Sequence, residues 1–129
     1  MSGFVRFAAL PTLAFLCMAL SACSGGEVVR AYNAPVNGNA RHGRQLIEAY
    51  GCGACHIIPG VHAAQGLVGP PLILFGARTM IAGELPNTPE NLELWIENPR
   101  AVEPRTAMPD LGLNGAQAAD IAAYLYTLR

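Results

Sequence analysis

Cys52-Gly53-Ala54-Cys55-His56 sets two thiols and an imidazole on five consecutive residues, and the reading of that stretch decides the fold. Cys-x-x-Cys-His is the attachment pattern of a c-type haem. The spacing has a chemical reason. Two thiols three positions apart reach adjacent vinyl groups on one edge of a porphyrin, and the next residue, His56, then falls beneath the iron as proximal ligand. A structural zinc site needs four ligands, and the stretch that follows Cys55 carries no second Cys pair to supply them. A thioredoxin-like redox pair needs a βαβ setting, which the flanking sequence does not offer.

The other cysteines lie upstream. Arg6 precedes an apolar run from Phe7 to Leu20, which ends in Leu20-Ser21-Ala22-Cys23. This is the layout of a secretory signal, and it falls short of the roughly 20 apolar residues of a membrane span. Its last four residues resemble the lipobox of bacterial lipoproteins, which makes Cys23 a lipidation site. Acyl chains, at about 0.8 kcal/mol per buried CH₂, would then anchor the domain. Cys17 lies in the discarded run, so Cys52 and Cys55 are the thiols left in the folded part. The expected organisation is a signal peptide over 1–22, a lipidated flexible tether over 23–39 and one haem domain over 40–129. Composition gives no sign of nucleic-acid contacts: net charge is −1, and all eight basic residues are Arg. A lysine-rich docking ring is therefore impossible.

Periodicity in the haem domain predicts an all-α fold of three to four short helices, with long loops. A first helix is expected over 40–50, with Leu46, Ile47 and Tyr50 on one face. Gly and Pro punctuate 57–76 as loop, and a short helix is expected over 78–82. Thr88, Pro89 and Glu90 give an N-cap, an N1 proline and an acidic first turn. The helix they open buries Leu92, Trp95 and Ile96 and stops at Pro99. Asn114 and Gln117 read as a capping box opening a last helix to Leu128. No segment reads as a strand. So few short helices bury little apolar surface, and a large apolar cofactor would complete the core.

The second axial ligand decides function, because an iron with both axial positions filled exchanges electrons but does not readily bind substrate. Met108, in Thr106-Ala107-Met108-Pro109, is the best candidate, on a loop free to press against the haem's open face. A thioether raises the potential relative to two imidazoles. Met80 is a rival whose ordinary reading is core packing. His62 follows His56 too closely to cross the porphyrin plane, and His42 reads as a solvated residue on the polar side of the first helix.

From about Gly43 to Leu128 the chain resembles class I, mitochondrial-type cytochrome c. The phrase from Gly83-Glu84-Leu85-Pro86-Asn87-Thr88 through Met108-Pro109-Asp110-Leu111-Gly112-Leu113 is similar to the cytochrome c domain of subunit II in caa3-type oxidases. The resemblance implies thioether attachment at Cys52 and Cys55, with His56 as proximal and Met108 as distal ligand. It implies that Pro70, in Gly69-Pro70, accepts the proximal imidazole's N–H and that Trp95 lies near a haem propionate. It also implies that Gly43 and Ile47 meet Tyr124 and Leu125 where the terminal helices cross. The resemblance does not extend to the two-helix anchor or the copper-binding cluster of an oxidase subunit II. The chain is expected to be the cytochrome module alone, re-anchored by lipid.

The resulting expectation is a monomeric, non-enzymatic, membrane-tethered electron carrier on the periplasmic face of a bacterial membrane. It would connect a quinol-oxidising complex or dehydrogenase to a terminal oxidase or reductase in a respiratory chain. Alternatives are a haem enzyme or gas sensor with a labile distal ligand, and a fixed cytochrome subunit of a dehydrogenase or oxidase complex. Glu90, Glu93 and Glu97 share a helical face that reads first as a solvated surface and second as a docking patch for a basic partner.

Overall fold

Asn39 opens the first helix of the chain's computed structural model, which describes residues 37–129. The expected signal peptide, the lipidation site Cys23 and most of the expected tether lie outside the described residues. The Asn39 side chain accepts from the backbone N–H groups of Arg41 and His42, both at 3.1 Å. These are donors that a helix start otherwise leaves unpaired. Helix α1 (Ala40–Ala49) buries Gly43, Leu46 and Ile47 and ends at Gly51, whose φ of +71° takes the chain into the left-handed region.

Helix α4 (Gly115–Leu125) closes the fold across α1. Asn114 and Gln117 form the reciprocal box, each side chain accepting from the other's backbone N–H at 3.0 Å. Buried Ala118 and Ala122 present little side-chain bulk, so the helices approach closely. A Cβ on Gly43 would lie 1.8 Å from the Asp120 carbonyl oxygen, and no side chain fits there. Three side-chain contacts fix the crossing. Asp120 accepts from the Asn39 backbone N–H at 2.6 Å and pairs with His42 Nδ1 at 2.6 Å, while Gln117 donates to the Tyr50 hydroxyl at 3.0 Å. His42 is thus not simply solvated. The first turn of α1 faces the acidic residue of α4.

The last helix ends three residues before the expected Leu128. Thr127 and Leu128 donate to Tyr124 and Leu125, three residues back, and the Thr127 hydroxyl also bonds the Tyr124 carbonyl at 2.6 Å. The tightened end turns the Leu128 carbonyl to accept from Gly76 N–H at 2.9 Å.

Residues expected as a helix over 78–82 form a hairpin instead. Strand β1 (Met80–Ile81) pairs antiparallel with β2 (Leu85–Pro86), so the expectation of no strand is also corrected. Ala82 and Gly83 both have positive φ, +54° and +80°, in a turn closed by Glu84 N–H on the Ile81 carbonyl at 2.9 Å. That geometry suits a hairpin and cannot continue a helix. Alternation then leaves Met80 exposed and Ile81 buried.

Helix α2 (Pro89–Glu97) starts on the Thr88 hydroxyl, which accepts from Asn91 N–H at 3.3 Å. Pro99 stops it, as expected, but also starts a further short helix, α3 (Pro99–Val102), capped by Asn98 on Ala101 N–H at 3.2 Å. Proline loses nothing at a first helical position, where its missing N–H has no partner to make. Leu92 and Ile96 of α2 join Ile47, Ile81, Ile121 and Leu125 in one core.

Candidate functional site

The left-handed residue Gly51 drops the chain from α1 into a 3-10 turn over Cys52–Ala54. Cys55 and His56 both donate backbone N–H groups to the Cys52 carbonyl, at 3.2 and 3.0 Å. This winding brings both thiols and the imidazole to one wall of a cavity of about 570 Å³. Both cysteines are half-buried and unbridged. Burial is the main reason that the Cys52 thiol sits above its ordinary range, with a smaller contribution from Cys55.

His56 Nδ1 lies 2.8 Å from the Pro70 carbonyl oxygen. A carbonyl only accepts, so Nδ1 carries the proton and Nε2 keeps its lone pair for a metal. Gly69 makes this possible, since a Cβ there would fall 2.3 Å from Cε1 of the ring. The Gly69 N–H also binds the Cys55 carbonyl at 2.8 Å, clamping the Gly-Pro segment to the cysteine turn.

The other cavity walls come from distant segments. Met108 lines the cavity from the stretch between α3 and α4, where its N–H is held by the Thr106 hydroxyl at 3.2 Å. Trp95 lines it from α2 and is half-buried. Cys52, Cys55, His56, Pro70, Trp95 and Met108 therefore all border one space. Met80 borders it too, and at 42% exposure it is part of this wall and not a packed core residue. His62 is exposed and lines a separate hollow beside Glu48 and Val61.

Two contributors escaped the sequence reading. Arg78 lines the cavity and is held by the carbonyls of Pro71 and Ile73, its guanidinium 5.4 Å from the Phe75 ring centre. It places a fixed cation in an otherwise apolar wall. Asn87, 3% exposed, donates to the carbonyls of Phe75 and Arg78 at 3.1 and 2.9 Å. It accepts from the Tyr126 hydroxyl at 2.8 Å. Burial pushes the Tyr126 phenol well above its ordinary range, which keeps it a neutral donor. The local sequence carries no signal for either role.

These residues fit a haem. The cavity offers apolar walls with a few placed polar groups, as ligand sites do, and it adds two free thiols and an imidazole with its outer nitrogen available. Among the described residues no group of three His, Cys, Asp or Glu side chains could hold a metal ion by itself. A metal here must bring its own equatorial ligands, as a porphyrin does. His56 and Met108 are the residues that would hold the iron, and Cys52 and Cys55 the macrocycle.

Comparison with known proteins agrees. Residues 40–129 match the family model described as Cytochrome c. The chain is 37% identical over 98 residues to cytochrome c oxidase subunit 2 of Alkalihalophilus pseudofirmus, covering 74% of this chain and 27% of that protein. It is 33% identical over 104 residues to the cytochrome c-type cyt cy of Rhodobacter capsulatus, covering 74% of this chain and 52% of that one. The chain thus spans about a quarter of the first relative's length and about half of the second's.

Proposed function

The chain belongs to the cytochrome c family, an electron-carrying haem protein with covalently bound haem c, and from that premise we propose a membrane-tethered, non-enzymatic single-electron carrier with His56/Met108 axial ligation. The observation that carries the reading is that His56 and Met108, 52 positions apart, border one apolar cavity, while Pro70 holds the imidazole in the tautomer a metal requires. When bound, haem supplies an iron that cycles between ferric and ferrous states. The protein's own work is to fix the ligands. Pro70 orients the imidazole through its hydrogen bond, and Thr106 holds the Met108 backbone. Arg78, and Trp95 through its indole N–H, offer donors to the haem's carboxylates.

The apolar run before Cys23 supports export and lipid anchoring, and the relatives named as oxidase subunits support a place in a respiratory chain between a quinol-oxidising complex or dehydrogenase and a terminal oxidase. Those same relatives favour a second reading, a fixed cytochrome subunit of such a complex.

Exposure of the reduced, haem-loaded chain to carbon monoxide tests the carrier reading. A carrier with both axial positions filled leaves its absorption spectrum unchanged. Rapid formation of a CO adduct at neutral pH would instead put a gas sensor or haem enzyme in its place.

A further inference from the structure

No charged residue lies between Glu48 and Arg78. That run carries both attachment cysteines and His56, and its most exposed large hydrophobic side chains are Leu67, at 83%, and Val68, at 74%. They form the tip of a loop whose two ends are fastened to the cysteine turn. Gly66 N–H donates to the Gly53 carbonyl at 3.0 Å and Gly69 N–H to the Cys55 carbonyl at 2.8 Å. A Cβ on Gly66 would lie 2.2 Å from the Ala54 carbonyl oxygen, so the loop lies flat against the turn and its tip is held outward. Val68 borders the cavity and Leu67 does not, so a group filling the cavity leaves Leu67 uncovered.

The uncharged character continues around the cavity through Met80, Ala82, Gly83, Ala107 and Pro109. The two charged residues that line it, Arg78 and Glu103, are of opposite sign. The chain also contains no lysine. An electron carrier must bring its cofactor close to that of its partner, and here the surface beside the attachment turn offers adhesion by apolar burial without charge steering.

We propose that the Leu67–Val68 loop is the surface on which the redox partner docks, and that the partner presents an uncharged apolar patch around its own redox centre. This rests on the carrier reading above. Association through such a surface is governed by apolar burial, so its rate changes little with ionic strength, unlike that of a charge-steered pair.

The test uses the haem-loaded full chain in detergent and membranes from the organism that encodes it. Electron transfer is followed by haem absorbance from low to high potassium chloride. The proposal expects the second-order rate to vary less than about threefold with salt, and to fall about tenfold in a Leu67→Ser variant. The variant's spectrum and its reduction by ascorbate should be unchanged. A nitroxide on Leu67→Cys reports contact independently: its mobility should drop with these membranes and not with protein-free vesicles of the same lipids. Steep salt dependence with wild-type rates in the Leu67→Ser variant would overturn the docking assignment alone. Equal immobilisation by bare vesicles would make the loop a lipid contact and overturn it as well. Absence of any transfer in either direction would remove the carrier reading, and this proposal with it.

Discussion

His56 and Pro70 are joined by a hydrogen bond of 2.8 Å in which the imidazole Nδ1 donates to the carbonyl oxygen. One contact thereby fixes ring orientation and tautomer. It depends on Gly69, where an added Cβ would meet the ring at 2.3 Å. Gly69→Ala should displace the imidazole, destabilise the fold by about 1–3 kcal/mol as overpacking does, and lower the yield of haem-loaded protein. Absorbance of the purified variant, normalised to protein, checks this. A wild-type haem content would contradict the positioning role.

The buried triangle of Asn87, Tyr126 and the Phe75 and Arg78 carbonyls makes a different prediction. Tyr126→Phe leaves one lone pair of Asn87 unpaired, whereas Asn87→Ala strands the Arg78 carbonyl and the Tyr126 hydroxyl and leaves the Phe75 carbonyl only the Arg78 N–H, at 3.1 Å. Each unsatisfied buried group costs about 1–3 kcal/mol. Denaturant unfolding should therefore rank Asn87→Ala well below Tyr126→Phe, and both below wild type. Equal loss in the two variants would mean that Asn87 works only by filling space.

Gly43→Ala would force α1 off α4, since its Cβ has the Asp120 carbonyl oxygen at 1.8 Å. Alanine is the better helix former by about 1 kcal/mol, so propensity predicts stabilisation and packing predicts the opposite. Packing should win, with a lowered melting temperature read by far-ultraviolet circular dichroism. A raised one would show that the crossing can relax.

Acid should loosen the same crossing. The Asn39 backbone N–H, and then His42, hold the Asp120 carboxyl below its ordinary range. A group whose pKa is depressed by folding stabilises the protein above its unfolded pKa, near 4, and that stabilisation is lost as pH falls through the folded value. Unfolding free energy should decline as pH drops below about 4, and Asp120→Asn should be less stable at neutral pH with a shallower acid limb. An unchanged acid limb in the variant would assign the decline to other carboxyls.

What could be read in the sequence was local chemistry. The caps at Thr88 and Asn114, the proline at the start of α2 and the spacing of Cys52, Cys55 and His56 each act within a few residues. The hairpin was missed because Thr79-Met80-Ile81-Ala82 is too short and apolar for its period to separate strand from helix. Its decisive feature, positive φ at Ala82 as well as Gly83, is not typical of alanine. Pro99 was read as a stop and not as a start, although proline serves both roles. Asn87 and Tyr126, 39 positions apart, and His42 and Asp120, 78 apart, meet through tertiary packing alone. No local pattern encodes those pairs.

On the reading proposed above, His56 and Met108 would hold one haem iron from distant segments of the chain. The most direct test is the far-red absorption of the oxidised, haem-loaded protein, where methionine sulfur bound to ferric haem gives a charge-transfer band. The band is expected in wild type, lost in Met108→Ala and retained in Met80→Ala. A wild-type protein without the band, or one that loses it through Met80 instead, would contradict the assignment.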